Sequence, residues 1–507
     1  MKALHGRGTS LSEFPYKMKR SRDEQGVIIL GAGLGGLIAG TLLAKNNPSV
    51  LLLKENGYQP SSTIKNYRFV PFSNISEKRF KPSLLKKISQ ALNLASIVDP
   101  EEEGIPTRGI LDRSKQRDTL QVVLPKARVD IFSERTLSQK EWRREFPKEQ
   151  TRIEEFYGEL GHLQRLLERA KAKKNASPFF PIQQESLIRK LFSFDPCPKD
   201  IVNQRLAPFS KEFKELIQLQ LTSWGNLHWE HFATSLAAHI LLDERDELNL
   251  TVDLEKLEKE ILTQFLRLGG KVEEIDQVKR VEQRWRKGLT VSLEGDPKVF
   301  RSKFLIFNAP LHRMSSLLVK KGKEALRSES KIKPLYVMIP LFAGIREKVI
   351  PVGMKDLVIS VLDLEKPYHD GNLLFLSFSP KGDETKAPEG KRALTVESLM
   401  DPGKWEQGLL GDHQRRVMKH LHHLIPFLED HIDFVDFQWA GEHIPKWSYA
   451  HFLYEAAPDL NWREGVIPMR LSKNIYLVGK ENFPYLGLEG EILSGLMVGQ
   501  RILKKYS

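Results

Sequence analysis

The sequence predicts an α/β fold that contains more than one domain. A glycine-rich turn joins an aliphatic strand to an Ala/Leu-rich helix near the start of the chain, and a second glycine-rich turn leads into a helix near its end. Strand, turn and helix in that order are typical of α/β proteins. The chain has 507 residues, whereas one domain usually holds about 100–200 residues. Apolar residues make up 40% and charged residues 28%, a composition that can bury cores and excludes a disordered protein.

Charge and cysteine content narrow the classes of partner and site. Lys and Arg total 78 against 65 Asp and Glu, which gives a formal net charge of +13 and favours an anionic partner. The basic residues come without a nucleic-acid-binding motif, so we expect no nucleic acid partner. The single cysteine, Cys197, excludes a disulfide framework and a Cys-based zinc site, and no metal site is predicted. One thiol suits a reducing compartment, so we expect a cytoplasmic protein.

Residues 26–44 carry no charge and have about the length that spans a bilayer. Their order is an aliphatic run, a cluster of four glycines and an Ala/Leu-rich stretch, which predicts strand, turn and helix rather than a membrane helix. Residues 1–25 are polar and basic without an apolar core, so they lack the features of a signal peptide. We expect them to form a flexible basic segment.

The first glycine turn matches the dinucleotide-binding pattern G-x-G-x-x-G through Gly31, Gly33 and Gly36. In that pattern the first glycine allows a sharp turn, the second allows the backbone to approach a pyrophosphate, and the third allows helix to pack on strand. A helix beginning at Leu34 would offer free N–H groups and its positive dipole end to phosphates. A second aliphatic strand over residues 49–53 completes a βαβ unit of the expected length, and the motif therefore predicts dinucleotide binding.

The residue that ends the second strand departs from the pattern. An acid normally holds the adenosine ribose at this position, but the matching residue is Lys54, and Glu55 follows it. Lys54 could meet a 2′-phosphate as in NADP-binding reductases, or the strand end could be shifted so that Glu55 takes the acidic role. The sequence leaves both interpretations open.

The second glycine turn follows a short aliphatic strand predicted over residues 474–479. The helix after it contains Gly487, Gly490, Gly495 and Gly499. A glycine in a helix interior costs up to about 1 kcal/mol relative to alanine. We therefore expect these glycines to allow close approach by a ligand or by another helix.

The two glycine turns together, GAGLGG at residues 31–36 and NIYLVG…PYLGLEGEILSG at residues 474–495, resemble a known family. They are similar to the phytoene desaturase, carotenoid isomerase and retinol saturase group of FAD-dependent oxidoreductases, within the amine-oxidase-like flavoprotein superfamily. Shorter stretches such as Tyr67-Arg68-Phe69 and Asn308-Ala-Pro310 also look like that group. The resemblance covers most of the chain from about residue 26 onward.

The resemblance implies a discontinuous domain organisation. A Rossmann-like FAD-binding domain would comprise residues 26–100, 245–310 and 470–507, and an α+β substrate-binding domain would comprise residues 101–244 and 311–469.

The cofactor implied by the resemblance is FAD. The first glycine turn would hold the pyrophosphate, the second would line the ribityl chain and the flavin, and the backbone of Val278 would meet the adenine. The residues predicted to contact FAD are Gly31, Gly33, Leu34, Gly35, Gly36, Lys54, Glu55, Arg68, Val278, Gly479, Glu481, Gly487, Leu488, Glu489 and Gly490. The flavin would perform the hydride transfer, and the sequence identifies no side chain as the catalytic acid or base.

Two lysines leave two functions open. Lys54 and Lys480 stand where the family has acids, so either Glu55 and Glu481 replace those acids or FAD has been lost. With FAD, the resemblance implies desaturation, saturation or isomerisation of a hydrophobic isoprenoid or polyene lipid by hydride transfer at flavin N5. The alternative is a flavin-free lipid- or prenyl-binding protein, because Rab GDP-dissociation inhibitors have this fold without flavin.

Two further patterns concern a membrane and the histidines. Basic and apolar residues interleave between residues 163 and 194, which is typical either of a peripheral membrane contact or of an ordinary solvated helix. His420 and His423 could share one helix face. We expect that face to be exposed rather than to bind metal, because no acid or cysteine stands at a ligand spacing.

Overall fold

Two β-sheets with flanking helices form the framework of the protein. The computed structural model describes residues 24–46, 49–55, 62–70, 82–94, 111–112, 119–132, 134–172, 201–224, 227–228, 232–242, 251–252, 254–284, 288–318, 332–439, 451–456 and 467–506. The predicted flexible segment therefore lies outside the described residues except at its last two positions, and residues 173–194 of the predicted membrane segment lie outside them as well.

The strands and helices follow one another along the chain without strict alternation. The strands are β1 (Glu24–Leu30), β2 (Val50–Glu55), β3 (Ser62–Ile64), β4 (Tyr67–Phe69), β5 (Leu111–Asp112), β6 (Thr119–Leu124), β7 (Ala127–Phe132), β8 (Thr251–Val252), β9 (Lys271–Ile275), β10 (Val278–Arg284), β11 (Gly288–Leu293), β12 (Val299–Phe307), β13 (Ile332–Arg346), β14 (Leu357–Val361), β15 (Leu373–Phe378), β16 (Lys391–Met400), β17 (Ile432–Asp436), β18 (Phe452–Ala456) and β19 (Ile475–Leu477). The α-helices are α1 (Leu34–Ala44), α2 (Pro82–Leu92), α3 (Arg135–Glu145), α4 (Gln150–Ala172), α5 (Val202–Leu206), α6 (Lys211–Trp224), α7 (Thr234–Leu242), α8 (Leu254–Arg267), α9 (Leu311–Leu317), α10 (Pro402–Glu406), α11 (Leu410–Leu424) and α12 (Gly487–Leu503).

The first sheet combines strands from distant parts of the chain. Its order is β10-β11-β12-β1-β2-β9, and β19 pairs with β12. The strands β9, β2, β1, β12 and β19 run parallel, while β10 and β11 continue the sheet antiparallel beyond β12. The aliphatic run of β1 and the whole of α1 are buried, as expected for a parallel sheet covered on both faces. The predicted order of strand, turn and helix over residues 26–44 is confirmed.

The register of the parallel strands brings their carboxyl ends to one edge. Leu30 of β1 pairs with Phe307 of β12, and Phe307 pairs with Leu477 of β19. Leu30 also pairs with Leu53 of β2. The residues that follow these strands therefore meet, although they are hundreds of positions apart in the sequence. Ligands of open α/β sheets bind at this edge.

The second sheet is mostly antiparallel. Its order is β17-β13-β16-β15-β14-β6-β7, with β18 also pairing with β13. The β14–β6 pair is parallel. The apolar runs at residues 335–342 and 373–378, whose composition is typical of strands, lie in β13 and β15. The predicted domain boundaries themselves stay predictions.

Helix α11 packs against the second sheet through two histidines. The expected exposure of its histidine face is correct for His423 and wrong for His420, because His420 is fully buried. The His420 ring lies between the Ser360 hydroxyl and the Gly371 carbonyl, with both contacts at 2.8 Å. The burial of His413, on the same helix, is also nearly complete. Helical spacing identified the face but not the side that the sheet would cover.

Helix α8 buries its apolar face. Leu257, Ile261 and Phe265 recur at the spacing of one helix face, and all three are buried. Among the described helices, none combines the length and the apolar character that crossing a bilayer requires.

Candidate functional site

The candidate site lies where β1, β2, β12 and β19 end. The Gly31 amide donates to the carbonyl of Leu53 at the end of the neighbouring strand, at 3.0 Å. The Asn308 amide donates to the carbonyl of Leu30 at 2.8 Å, and the Val478 amide donates to the carbonyl of Phe307 at 2.8 Å. The first glycine turn, the end of β12 and the second glycine turn therefore form one continuous edge.

The first glycine turn is packed too closely for side chains. Gly31 has a φ of 100°, and a Cβ there would lie 2.1 Å from the Asn308 carbonyl oxygen. Gly33 precedes α1 in an extended conformation, and no side chain caps the helix at this residue. The Gly36 amide donates to Oδ1 of Asn308 at 3.1 Å. Leu34 begins the helix and is buried. The turn therefore has the conformation that the motif predicts.

The second glycine turn packs directly on the first. The Gly479 amide donates to the Ser494 hydroxyl at 3.2 Å, and Gly487 has a φ of 53°. A Cβ at Gly495 would lie 2.4 Å from the Gly35 carbonyl oxygen. The prediction that glycines of this helix allow close approach by another helix is confirmed for Gly495, because α12 packs on α1 there.

The remaining predicted residues of the second turn surround its helix start. Leu488 is buried, Glu489 is partly exposed in the first turn of α12, and Gly490 lies against Phe483. A Cβ at Gly490 would be 2.6 Å from the Phe483 carbonyl oxygen, so only glycine fits this position.

Glu491 provides a carboxylate at the first glycine turn. Its Oε1 accepts from the Gly35 amide at 3.1 Å and from Nδ2 of Asn308 at 3.4 Å. The same Oε1 would lie 3.0 Å from a Cβ at Gly33, and the side chain is only 8% exposed. Sequence reasoning missed Glu491, although its place directly after Gly490 in the second motif was a usable signal.

Lys54 and Glu55, at the end of β2, have different surroundings. Nζ of Lys54 pairs with Oε1 of Glu274 at 3.3 Å, and both side chains are exposed. Glu55 accepts from the Val278 amide at 2.8 Å. Side chains alternate along a strand, so the two neighbours point to opposite sides. Glu55, rather than Lys54, therefore lies with Val278.

Arg313 completes a network with these two residues. Its Nη2 donates to Oε1 of Glu55 at 2.5 Å and to the carbonyl of Val278 at 3.0 Å, and the residue is 8% exposed. Both backbone polar groups of Val278, which the resemblance assigns to adenine, are thus bonded within the chain. Sequence reasoning missed Arg313, because it belongs to no recognisable motif.

Glu481 provides a second carboxyl group beside Gly479 and is bonded to Tyr454. The Tyr454 hydroxyl donates to Oε1 of Glu481 at 3.1 Å. Burial raises the pKa of the Glu481 carboxyl, and the carboxylate of Glu491 adds to the rise. Burial and the neighbouring Glu481 also raise the pKa of Tyr454 well above its ordinary value. The two glutamates are therefore close enough to repel each other electrostatically.

Arg68, also predicted to contact FAD, is bonded to Glu255 and to the backbone of Lys386. Its guanidinium pairs with the carboxylate of Glu255 in the first turn of α8, and its amide donates to the Lys386 carbonyl at 2.9 Å. The neighbouring Tyr67 donates its hydroxyl to Asp433 at 2.5 Å. Arg68 thus takes an acidic partner that was not among the predicted site residues.

The backbone of this edge fits the FAD that the resemblance implies. The tightly packed glycines allow the close approach that a pyrophosphate needs, but side chains already accept from two amides at the start of α1, Glu491 from Gly35 and Asn308 from Gly36. The side chains of Glu491, Glu55 and Arg313 bond to the polar groups that FAD would use. A pyrophosphate that bound the Gly35 amide would have to displace the Glu491 carboxylate from it.

Comparisons with known proteins agree on the fold. Neither a protein-family model nor a curated protein sequence matches the chain. Among solved structures, putrescine oxidase bound to putrescine is similar with a TM-score of 0.60 and 16% identity, over 95% of this chain and 99% of that one. Cyclohexylamine oxidase from Brevibacterium oxydans has a TM-score of 0.57 and 12% identity over 95% and 99%. Rab GDI from Plasmodium falciparum has a TM-score of 0.52 and 10% identity over 95% and 98%.

At these identities the similarity establishes the fold alone. It confirms the predicted fold class, whereas the resemblance to phytoene desaturases in particular stays a prediction. The chain therefore has the mixed α/β fold that putrescine oxidase, cyclohexylamine oxidase and a Rab GDI share.

Proposed function

We propose that the protein is an FAD-dependent oxidoreductase that acts on a hydrophobic isoprenoid or polyene lipid. The observation that carries the proposal is the packing of the second glycine turn on the first, with Gly495 against Gly35. Because of this packing, two segments distant in the sequence lie side by side, where both could contact the same ligand. When bound, FAD would supply a hydride acceptor or donor at flavin N5 for desaturation, saturation or isomerisation.

Different segments of this edge would bind different parts of FAD. The backbone of Gly33, Gly35 and Gly36 would face the pyrophosphate at the start of α1, where the Gly35 amide becomes available once the Glu491 carboxylate leaves it. Glu55 and Val278 would face the adenosine end. The second glycine turn, from Gly479 through Glu481, Gly487, Leu488, Glu489 and Gly490, would hold the ribityl and flavin end.

The first experiment is an absorption spectrum of the purified protein, followed by denaturation and identification of any released nucleotide. A flavin spectrum and released FAD are expected. Substitution of Gly33→Val or Gly487→Val should remove the flavin, whereas Gly158→Ala, in an exposed part of α4, should retain it. Full flavin content in both valine variants would contradict the assigned site, and a colourless protein that FAD does not titrate would end the proposal.

The substrate class rests on the resemblance of the two glycine motifs. Amines are the competing class, because putrescine oxidase and cyclohexylamine oxidase share the fold. The two classes separate under anaerobic conditions, where a true substrate bleaches the flavin absorbance. We expect an isoprenoid or polyene lipid in detergent micelles to bleach it and putrescine or cyclohexylamine to leave it unchanged. The reverse result would replace the lipid by an amine.

A flavin-free lipid- or prenyl-binding protein is the second candidate. The bonds of Glu491 to Gly35 and of Arg313 to Val278 favour it, because both occupy groups that FAD would need. This candidate predicts that the wild-type chain binds a fluorescent geranylgeranyl probe but not FAD. Tight binding of FAD to the wild-type chain would exclude it.

We also infer a peripheral membrane contact of a cytoplasmic protein, based on the basic and apolar residues between 163 and 194. Attraction to anionic lipid amounts to about 1 kcal/mol per basic residue near the surface. Reversing the charge of three lysines should therefore weaken sedimentation with phosphatidylserine liposomes. The substitutions are Lys171→Glu, Lys173→Glu and Lys174→Glu. Unchanged sedimentation would refute the contact.

A further inference from the structure

We propose that the carboxylate of Glu491 competes with the cofactor pyrophosphate for the first glycine turn. While Glu491 accepts from the Gly35 amide, the turn is closed to a phosphate, and it opens only when this carboxylate is displaced. The inference rests on the proposed binding of FAD and concerns how tightly this chain can bind it. It assigns to Glu491 the control of affinity for phosphate-containing ligands.

The contacts of Glu491 coincide with the phosphate position of the motif. Its Oε1 accepts from the Gly35 amide at 3.1 Å and would lie 3.0 Å from a Cβ at Gly33. Gly33 is the glycine that lets a pyrophosphate approach the backbone, and Gly35 lies in the first turn of α1. A carboxylate at the start of a helix is bound by the same N–H groups and dipole that bind a phosphate. Glu491 thus satisfies the turn in place of a ligand.

The surroundings of Glu491 oppose a second anion there. The side chain is 8% exposed, so water screens its charge poorly. The carboxyl of Glu481 lies close enough that the charge of Glu491 helps to raise its pKa, so the two groups oppose each other's ionisation. Asn308 stabilises the closed arrangement by donating Nδ2 to both Glu491 and the Val478 carbonyl. An entering pyrophosphate would have to break these bonds and tolerate a displaced carboxylate beside it.

The adenosine end is closed by a separate network. Glu55 and Arg313 bond to the amide and the carbonyl of Val278. Two independent sets of side chains thus occupy the polar groups at both ends of the expected adenosine diphosphate moiety. Side chains therefore occupy polar groups at both ends of the edge, and Glu491 is the one whose negative charge would oppose a phosphate.

Removal of the carboxylate tests the proposal by binding rather than by activity. Wild-type protein, Glu491→Gln and Glu491→Ala are freed of nucleotide and titrated calorimetrically with FAD and with ADP. Riboflavin serves as a third ligand, because it lacks phosphate. The matched charge control is Glu389→Gln, in an exposed loop. Melting temperatures of all variants establish that each is folded.

We expect both Glu491 variants to bind FAD and ADP at least tenfold more tightly than the wild-type chain, equivalent to about 1.4 kcal/mol. Riboflavin binding and the Glu389→Gln variant should be unchanged. Variants of Glu491 that bind FAD and ADP no more tightly than wild type would overturn the proposal. An equal gain for riboflavin would overturn it as well, because the effect would then not concern phosphate.

The wild-type measurement separates this inference from the proposed function. If wild type and variants bind FAD and the variants bind it more tightly, both stand. If only the variants bind FAD or ADP, the competition by Glu491 stands and the native protein is the flavin-free candidate. If wild type binds FAD as tightly as the variants do, the proposed function stands and the competition by Glu491 is refuted.

Discussion

The close packing of α12 on α1 can be tested by one methyl group. A Cβ at Gly495 would lie 2.4 Å from the carbonyl oxygen of Gly35 and 3.1 Å from its Cα and carbonyl carbon. The obstacle is backbone, which cannot turn aside as a flexible side chain can. In Gly495→Ala the two helices must therefore move apart.

Two opposing effects set the size of the change. Alanine in a helix interior is favoured over glycine by up to about 1 kcal/mol. Overpacking a buried contact costs about 1–3 kcal/mol, with backbone obstacles at the upper end. We expect Gly495→Ala to lower the free energy of unfolding by about 2 kcal/mol. The matched control is Gly158→Ala in α4, where nothing lies within 4 Å of the added Cβ. There only the helix preference acts, so stability should rise by about 0.5–1 kcal/mol.

The assay is urea unfolding followed by far-ultraviolet circular dichroism. At an unchanged m-value, the midpoint should fall for Gly495→Ala and rise for Gly158→Ala. A Gly495→Ala variant that is as stable as wild type would refute the close approach of the two glycine turns. The common edge on which the functional proposal depends would then be lost as well.

Two further predictions concern ionisable groups. Glu55→Gln breaks the largely buried pair with Arg313 and should lower the free energy of unfolding by about 3 kcal/mol. Lys54→Gln breaks only the exposed pair with Glu274 and should change the free energy of unfolding by less than about 1 kcal/mol. Equal melting temperatures for the two variants would contradict the assignment of Glu55 to the interior. Burial lowers the pKa of His413 and of His420 to about 4, from 6.5. The unfolded chain thus binds more protons between these values, and stability present above pH 6.5 is lost as the pH falls toward 4. Each histidine should lower the free energy of unfolding by about 2 kcal/mol between pH 7 and pH 5. In urea titrations at both pH values, the free energy of unfolding of His420→Gln should therefore fall by about 2 kcal/mol less than that of wild type. An equal fall would show that His420 does not titrate as a buried group.

The elements with local signals can be predicted from the amino-acid sequence. An aliphatic run, a glycine turn and an uncharged helix specified β1 and α1, because turn conformation and burial depend on neighbouring residues. The spacing of Leu257, Ile261 and Phe265 specified the buried face of α8. The glycines of the last helix predicted a close approach, and Gly495 provides one. The fold class followed from these elements and their order.

Which side chains meet at the site depends on contacts between distant parts of the folded chain. Strand alternation placed Glu55 inside and Lys54 outside, but a shift by one residue would have exchanged them. Glu491 reaches Gly35 across 456 positions of sequence, and Arg313 reaches Glu55 across 258, so no local pattern could join them. His420 lies at the buried side of α11 because the second sheet covers that side. Contacts of this kind depend on the register of parallel strands and on the packing of one helix over another, which are properties of the folded chain as a whole.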